Sequence, residues 1–139
     1  MKLNTSLNFD GRCREAFEFY AALLGGEIKA MMTYGELPEM KDATEGRDRI
    51  AHAWLEIGDQ SLMGGDAPNP AFVEPVGGFS VALHADTAGE ARRLFDGLAE
   101  GGTVIMPVSE TSWSPAFGML KDRFGVPWMV NAVGGGGAA

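Results

Sequence analysis

Apolar and polar residues alternate at the start of the chain: Leu3, Thr5, Leu7 and Phe9 against Asn4, Ser6 and Asn8. A period of two predicts a half-buried strand with a polar second face. Asp10-Gly11 ends it, and the period changes. Ala16, Phe19, Tyr20 and Leu23 fall at i, i+3, i+4 and i+7, one stripe of an amphipathic helix, which Gly25-Gly26 stops. Residues 27–34 read as a second strand. Residues 35–49 are polar, contain Pro38, and read as a loop with room for a helical turn. Residues 50–57 and 60–64 form a hairpin about Gly58-Asp59.

The second half repeats this plan. Residues 79–85 predict a strand, with Asp86 as candidate N-cap. Ala91, Leu94, Phe95 and Leu98 make the helical stripe, and Gly101-Gly102 ends it. A strand over 103–108 follows, then a loop through Trp113 and Pro115, then a hairpin of 117–121 and 126–133 turning at 122–125. The repetition is literal in places. Glu15-Ala16-x-x-Phe19-Tyr20-x-x-Leu23-x-Gly25-Gly26 returns as Glu90-Ala91-x-x-Leu94-Phe95-x-x-Leu98-x-x-Gly101-Gly102, with one residue inserted. The expected fold class is therefore α+β, as two βαβββ modules in tandem within one domain. Module 1 covers about 1–67, a linker about 68–76, module 2 about 77–133, and a glycine-rich tail 134–139 reads as a flexible end. In each module the helix covers one face of the sheet and leaves the other for something else.

Composition narrows the function classes. A chain of 139 residues buries enough surface to need no disulfide, and its single cysteine, Cys13, cannot form an internal one. A cytoplasmic location is expected, since no signal peptide or membrane-spanning run is visible. The net charge of −8 argues against nucleic acid as a partner, because phosphate binding needs a basic surface.

Strand parity gives the uncovered faces. In residues 50–57, Ala51, Ala53, Leu55 and Ile57 are apolar and expected on the helix side; Ile50, His52, Trp54 and Glu56 lie opposite. The first strand adds Asn4, Ser6 and Asn8, and the fourth adds Met63. In module 2, Val81, Leu83 and Ala85 face the helix and leave Ser80, Ala82 and His84. In the last strand Trp128 and Val130 face it and leave Pro127, Met129 and Asn131. Alternation of this kind usually marks a solvated face. Here the face holds methionines, a tryptophan and short amides with few lysines or glutamates, a composition closer to a ligand-pocket lining.

The ordered pieces resemble a known superfamily. They are Phe9-x-Gly11-x-Cys13-x-Glu15-Ala16, Phe19-Tyr20, Leu24-Gly25-Gly26-Glu27, Tyr34-Gly35-Glu36-Leu37-Pro38, Ile50-Ala51-His52-Ala53 and Ile57-Gly58-Asp59. Leu62-Met63 with Asp66, Trp113-x-x-x-Phe117-Gly118 and Asp122-Arg123-Phe124-Gly125-Val126-Pro127-Trp128 complete them. The chain resembles the vicinal oxygen chelate superfamily of glyoxalase I, extradiol dioxygenases, fosfomycin-resistance enzymes and bleomycin-binding proteins. Within it, the chain is most similar to a PhnB-like subgroup whose members carry the label 3-demethylubiquinone 3-methyltransferase. The resemblance implies modules curving around a shared cavity, and a homodimer.

It also implies positions for a divalent metal, at Asn4 and Ser80 in the first strands and Met63 and Met129 in the last. None is the His or carboxylate such an ion needs, so no metal or other cofactor is expected. His52 and His84, with Glu56, leave an atypical metal site open. A nucleoside-dependent methyltransferase would need a Gly-rich turn from strand into helix, whereas Gly64-Gly65-Asp66 runs into a proline-rich loop. Cys13 is a conceivable nucleophile at a helix start. Besides a vestigial pocket in a protein that acts through its surface, two functions remain. One is binding of a small, partly aromatic molecule in the inter-module cavity, by Asn4, Ser6, His52, Trp54, Met63, Ser80, His84, Trp113, Phe117 and Met129. The other is a lyase or isomerase using His52 as acid or base, helped by Glu36.

Overall fold

The computed structural model describes residues 1–43, 45–69 and 77–133. The chain divides into two compact units, Met1–Glu74 and Pro75–Ala139. Most of the expected linker, and the tail, lie outside the described residues.

The first unit runs β1 (Thr5–Phe9), α1 (Cys13–Leu24), β2 (Glu27–Thr33), two short 3-10 turns (Tyr34–Glu36 and Pro38–Met40), β3 (Ile50–Ile57) and β4 (Gln60–Asp66). Its sheet has the order β1-β4-β3-β2. β1 runs parallel to β4, and the other pairs are antiparallel. The second unit runs β5 (Val81–Ala85), α2 (Ala88–Ala99), β6 (Thr103–Ser109), β7 (Phe117–Lys121) and β8 (Pro127–Ala132), in the order β5-β8-β7-β6. Each unit is thus strand, helix and three strands, the tandem α+β plan that the repeated segment predicts. No helix among the described residues is long and apolar enough to cross a membrane.

In the second unit the predicted stripe is the core: Ala91, Leu94, Phe95 and Leu98 are all buried. In the first unit the stripe is displaced. The buried residues of α1 are Cys13, Ala16, Phe17 and Tyr20, while Phe19 and Leu23 are only half-buried. The spacing is still i, i+3, i+4, i+7, but about one turn earlier. Phe17 takes the central place because the sheet beneath it carries Gly64. A Cβ there would lie 2.7 Å from the Phe17 ring, so the missing side chain makes room for the aromatic.

Two other expectations are corrected. Asp86 is not the cap of α2; Thr87 is, and its hydroxyl accepts the Glu90 N–H at 3.1 Å. Leu3 does not begin β1 and is almost fully exposed, since pairing with β4 starts at Thr5 opposite Leu62. Gly25 closes α1 at φ 70°, in the left-handed region that glycine enters without strain.

α1 has no side-chain cap of its own at Arg12. Its first amide, Cys13 N–H, instead donates to Asp66 Oδ1 at 3.0 Å, and the other carboxylate oxygen accepts Ile50 N–H at 2.8 Å. Asp66 is buried, so this one side chain ties the end of β4 to the start of α1 and the start of β3. The Tyr34 hydroxyl adds a donation to the Asp66 carbonyl at 2.8 Å.

Candidate functional site

In the first unit, strand register sets the uncovered face. Ser6 lies opposite Met63, and Met63 opposite Trp54. His52 lies opposite Met32 on β2. Asn4, just before β1, donates from Nδ2 to Met63 Sδ at 3.8 Å. The His52 and Trp54 rings are 6.3 Å apart, tilted at 59°, and both side chains are half-buried. The structure therefore gathers Asn4, Ser6, His52, Trp54 and Met63 on one face.

Glu36 is elsewhere. It sits in the first 3-10 turn, and its Oε2 accepts the Thr33 N–H at 3.0 Å as half of a capping box. Its carboxylate is spent on holding the turn after β2.

In the second unit the corresponding rows are Ala82–Met129–Met119–Met106 and His84–Asn131–Phe117–Ser109. Ser80 precedes β5 and is half-buried. His84 is exposed, and its Nδ1 lies 3.2 Å from Asn131 Nδ2. Trp113 is 66% exposed, yet its ring stands edge-on to the buried Phe117 ring at 5.5 Å and 71°. The pair has the edge-to-face geometry that aromatic rings favour, and it leaves much of the Trp113 ring open to solvent. His84, Trp113, Phe117 and Met129 therefore share one face. Asn131, which parity already places on this face, lies in the His84 row, and Met119 and Met106 join them; strand parity could have found these two, since Met119 pairs with Met129 and Met106 with Met119.

Other polar groups have structural work. The Asp122 carboxylate is buried in the β7–β8 turn, where it accepts the Phe124 and Val126 N–H groups and Trp128 Nε1–H, all at 2.9 Å. Cys13 is buried, and its thiol is pushed up to about 12, first by loss of solvation and then by the Asp66 charge. Burial and this upward shift favour an ordinary core cysteine over the nucleophile that a place at a helix start allows. A groove of about 490 Å³ in the first unit is lined by Gly11, Met40, Glu45, Gly46, Asp48, Arg49, Pro68 and Asn69. It holds none of the predicted site residues.

The metal positions implied by the resemblance carry an amide (Asn4), a hydroxyl (Ser80) and two thioethers (Met63, Met129). In the first unit the amide and the thioether are bonded to each other. This donor set does not suit a hard or borderline divalent ion. Within either unit, among the described residues, no three His, Cys, Asp or Glu side chains converge as ligands.

Comparison with known proteins agrees with the fold. The family model described as 3-demethylubiquinone-9 3-methyltransferase matches residues 1–131. Protein YjdN of Escherichia coli K12 is 35% identical, with 96% of each chain covered. The crystal structure of protein PA1353 from Pseudomonas aeruginosa is 44% identical, covers 94% of this chain and 98% of its own, and has a TM-score of 0.83. A putative 3-demethylubiquinone-9 3-methyltransferase, PhnB protein, from Bacillus cereus is 27% identical over 96% of this chain and 100% of its own, with a TM-score of 0.82. A glyoxalase family protein from Enterococcus faecalis shares the fold at 17% identity and a TM-score of 0.61, over 94% of this chain and 96% of its own. Matched over nearly its whole length, the chain belongs to the family described as 3-demethylubiquinone-9 3-methyltransferase, on a glyoxalase-like fold.

Proposed function

We propose that this protein binds a small, partly aromatic molecule on the helix-free faces of its sheets. The observation that carries the reading is the Trp113–Phe117 pair, an exposed ring held edge-on at 5.5 Å. Beside it stand His84 and Asn131, which can orient a polar group, and the apolar side chain of Met129. The His52–Trp54 pair, with Asn4 and Ser6 near Met63, gives the first unit a similar mixture. Apolar walls with a few polar groups are what small-molecule sites present.

The residues do not fit the methyl donor that the family description implies. Gly64 and Gly65 are buried in β4 and are explained by packing. A Cβ on Gly64 would meet the Phe17 ring at 2.7 Å, and one on Gly65 would meet the Ala51 carbonyl oxygen at 3.0 Å. Asp66, which follows them, is committed to two backbone amides. No Gly-rich turn into a helix is left there to approach a nucleoside. Acid–base catalysis by His52 has less support than binding. Glu36 is occupied as a cap, and among the described residues no carboxylate hydrogen-bonds to His52.

The test is a thermal-shift screen with indole, quinoline and 2-naphthol. At least one should raise the melting temperature of the wild type in a concentration-dependent way. Trp113→Ala should abolish that shift while leaving the melting temperature without ligand nearly unchanged. An unchanged shift in Trp113→Ala, or no shift with any of the three, would count against the reading.

A further inference from the structure

We propose that the second unit carries a soft monovalent-metal site built from the thioethers of Met106, Met119 and Met129, suited to copper(I) and its redox-inert analogue silver(I). The three residues lie side by side across three adjacent strands: Met106 on β6 is opposite Met119 on β7, which is opposite Met129 on β8. Directly opposed residues share a face, and this face points away from α2, because Leu120, Trp128 and Val130 occupy the buried side. Neighbouring strands are about 4.8 Å apart, within the reach of a methionine side chain, so the outer two thioethers can lean toward the central one. Three rotatable bonds make such leaning cheap for methionine. The row is also open: Met106 is 44% exposed, and Met119 and Met129 are half-buried.

The chemistry of the donors decides the class of ion. Three neutral thioethers do not compensate a hard dication, but they match copper(I) and silver(I). The matching row of the first unit makes the contrast. There the sequence across the sheet is Ser6, Met63, Trp54 and Ala30, with one thioether, and that sulfur already accepts the Asn4 amide. The second unit thus has three soft donors where the first has one.

The probe is silver nitrate in chloride-free buffer, titrated into the full chain with its methionine methyl groups labelled with carbon-13. The methyl signals of Met106, Met119 and Met129 should move together and saturate at one silver per chain, while zinc(II) leaves them in place. Met119→Leu should weaken silver binding at least ten-fold, and the triple leucine variant should lose the stoichiometric step. The proposal is overturned if silver shifts the eight methionines indiscriminately without an end point. It is equally overturned if zinc moves the same three signals, or if the triple variant binds silver as the wild type does. The wild-type titration stands by itself should a variant fold poorly.

Discussion

The helix of the first unit starts on a carboxylate delivered from the far end of β4; the helix of the second starts on its own threonine. Asp66 holds Cys13 N–H and Ile50 N–H, whereas Thr87 holds only Glu90 N–H three residues along. The second unit places its buried carboxylate in the β7–β8 turn instead, where Asp122 serves three donors. The equivalent turn of the first unit, at Gly58-Asp59, is exposed. The repeated segment therefore dictates which elements form and in what order. It does not dictate which side chain satisfies the amides left over at their ends. Each unit solves that accounting problem with a different aspartate.

The largest effects should come from those aspartates. Asp122→Ala strands three N–H groups and is expected to cost about 5 kcal/mol; Asp66→Ala strands two and should cost about 4 kcal/mol. Denaturant unfolding measures both. Asp66→Asn keeps one acceptor and should fall between wild type and Asp66→Ala. A cost below about 1 kcal/mol for Asp66→Ala would remove the long-range cap from the comparison.

Next come the glycines beneath the two helices. Gly64 lies under the Phe17 ring on β4, and Gly118 under the Phe95 ring on β7, each with a Cβ position 2.7 Å from the aromatic. Alanine at either should cost about 2 kcal/mol by overpacking. Equal losses would show that the units seat their aromatics alike; a loss at only one would show that the contacts around the other, which include the Val108 backbone at Gly118 and the Leu7 carbonyl at Gly64, can yield.

Cys13 gives a pH signature that the second unit lacks. Its thiol ionises only near 12 in the fold, against an ordinary value of 9.0. The folded state therefore favours the protonated form. Its contribution to stability is present in full well below pH 9 and is lost as pH rises from 9 toward 12, the loss being on the order of 1 kcal/mol by pH 10. Comparing unfolding of the wild type and Cys13→Ala between pH 8 and 10.5 should show a steeper decline in the wild type. Parallel declines would contradict the burial of the thiol.

The smallest effect is at Thr87. Thr87→Ala removes one local cap and should cost about 1 kcal/mol. That is well under the loss at Asp66, because the stranded Glu90 N–H sits at an exposed helix start where water can replace the hydroxyl.

Much of this architecture was legible in the chain. The alternation in residues 50–57 and the stripe Ala91, Leu94, Phe95, Leu98 marked a strand and a helix that form as read. Local periodicity places the α1 stripe about a turn too late because it cannot rank Phe17 above Phe19. The choice is made by a glycine 47 positions away, whose missing side chain accepts the ring. Asp66 was visible only as part of a family pattern, since its partners, Cys13 and Ile50, lie on other elements. On the candidate site, parity correctly grouped His52 with Trp54 and His84 with Asn131, since alternation is a local property. The commitment of Glu36 to a capping box depends on the turn that residues 34–36 form, which a polar loop composition does not reveal.

The most direct test of the binding reading follows the three indole N–H signals by nitrogen-15 NMR during titration with indole, quinoline or 2-naphthol. Trp113 is exposed, Trp54 is half-buried on the same kind of face, and Trp128 is buried with its N–H on Asp122. The account predicts that the Trp113 signal moves most, that Trp54 moves less or with a second ligand, and that Trp128 stays still. A titration that leaves Trp113 and Trp54 unmoved, or that shifts only Trp128, would contradict it.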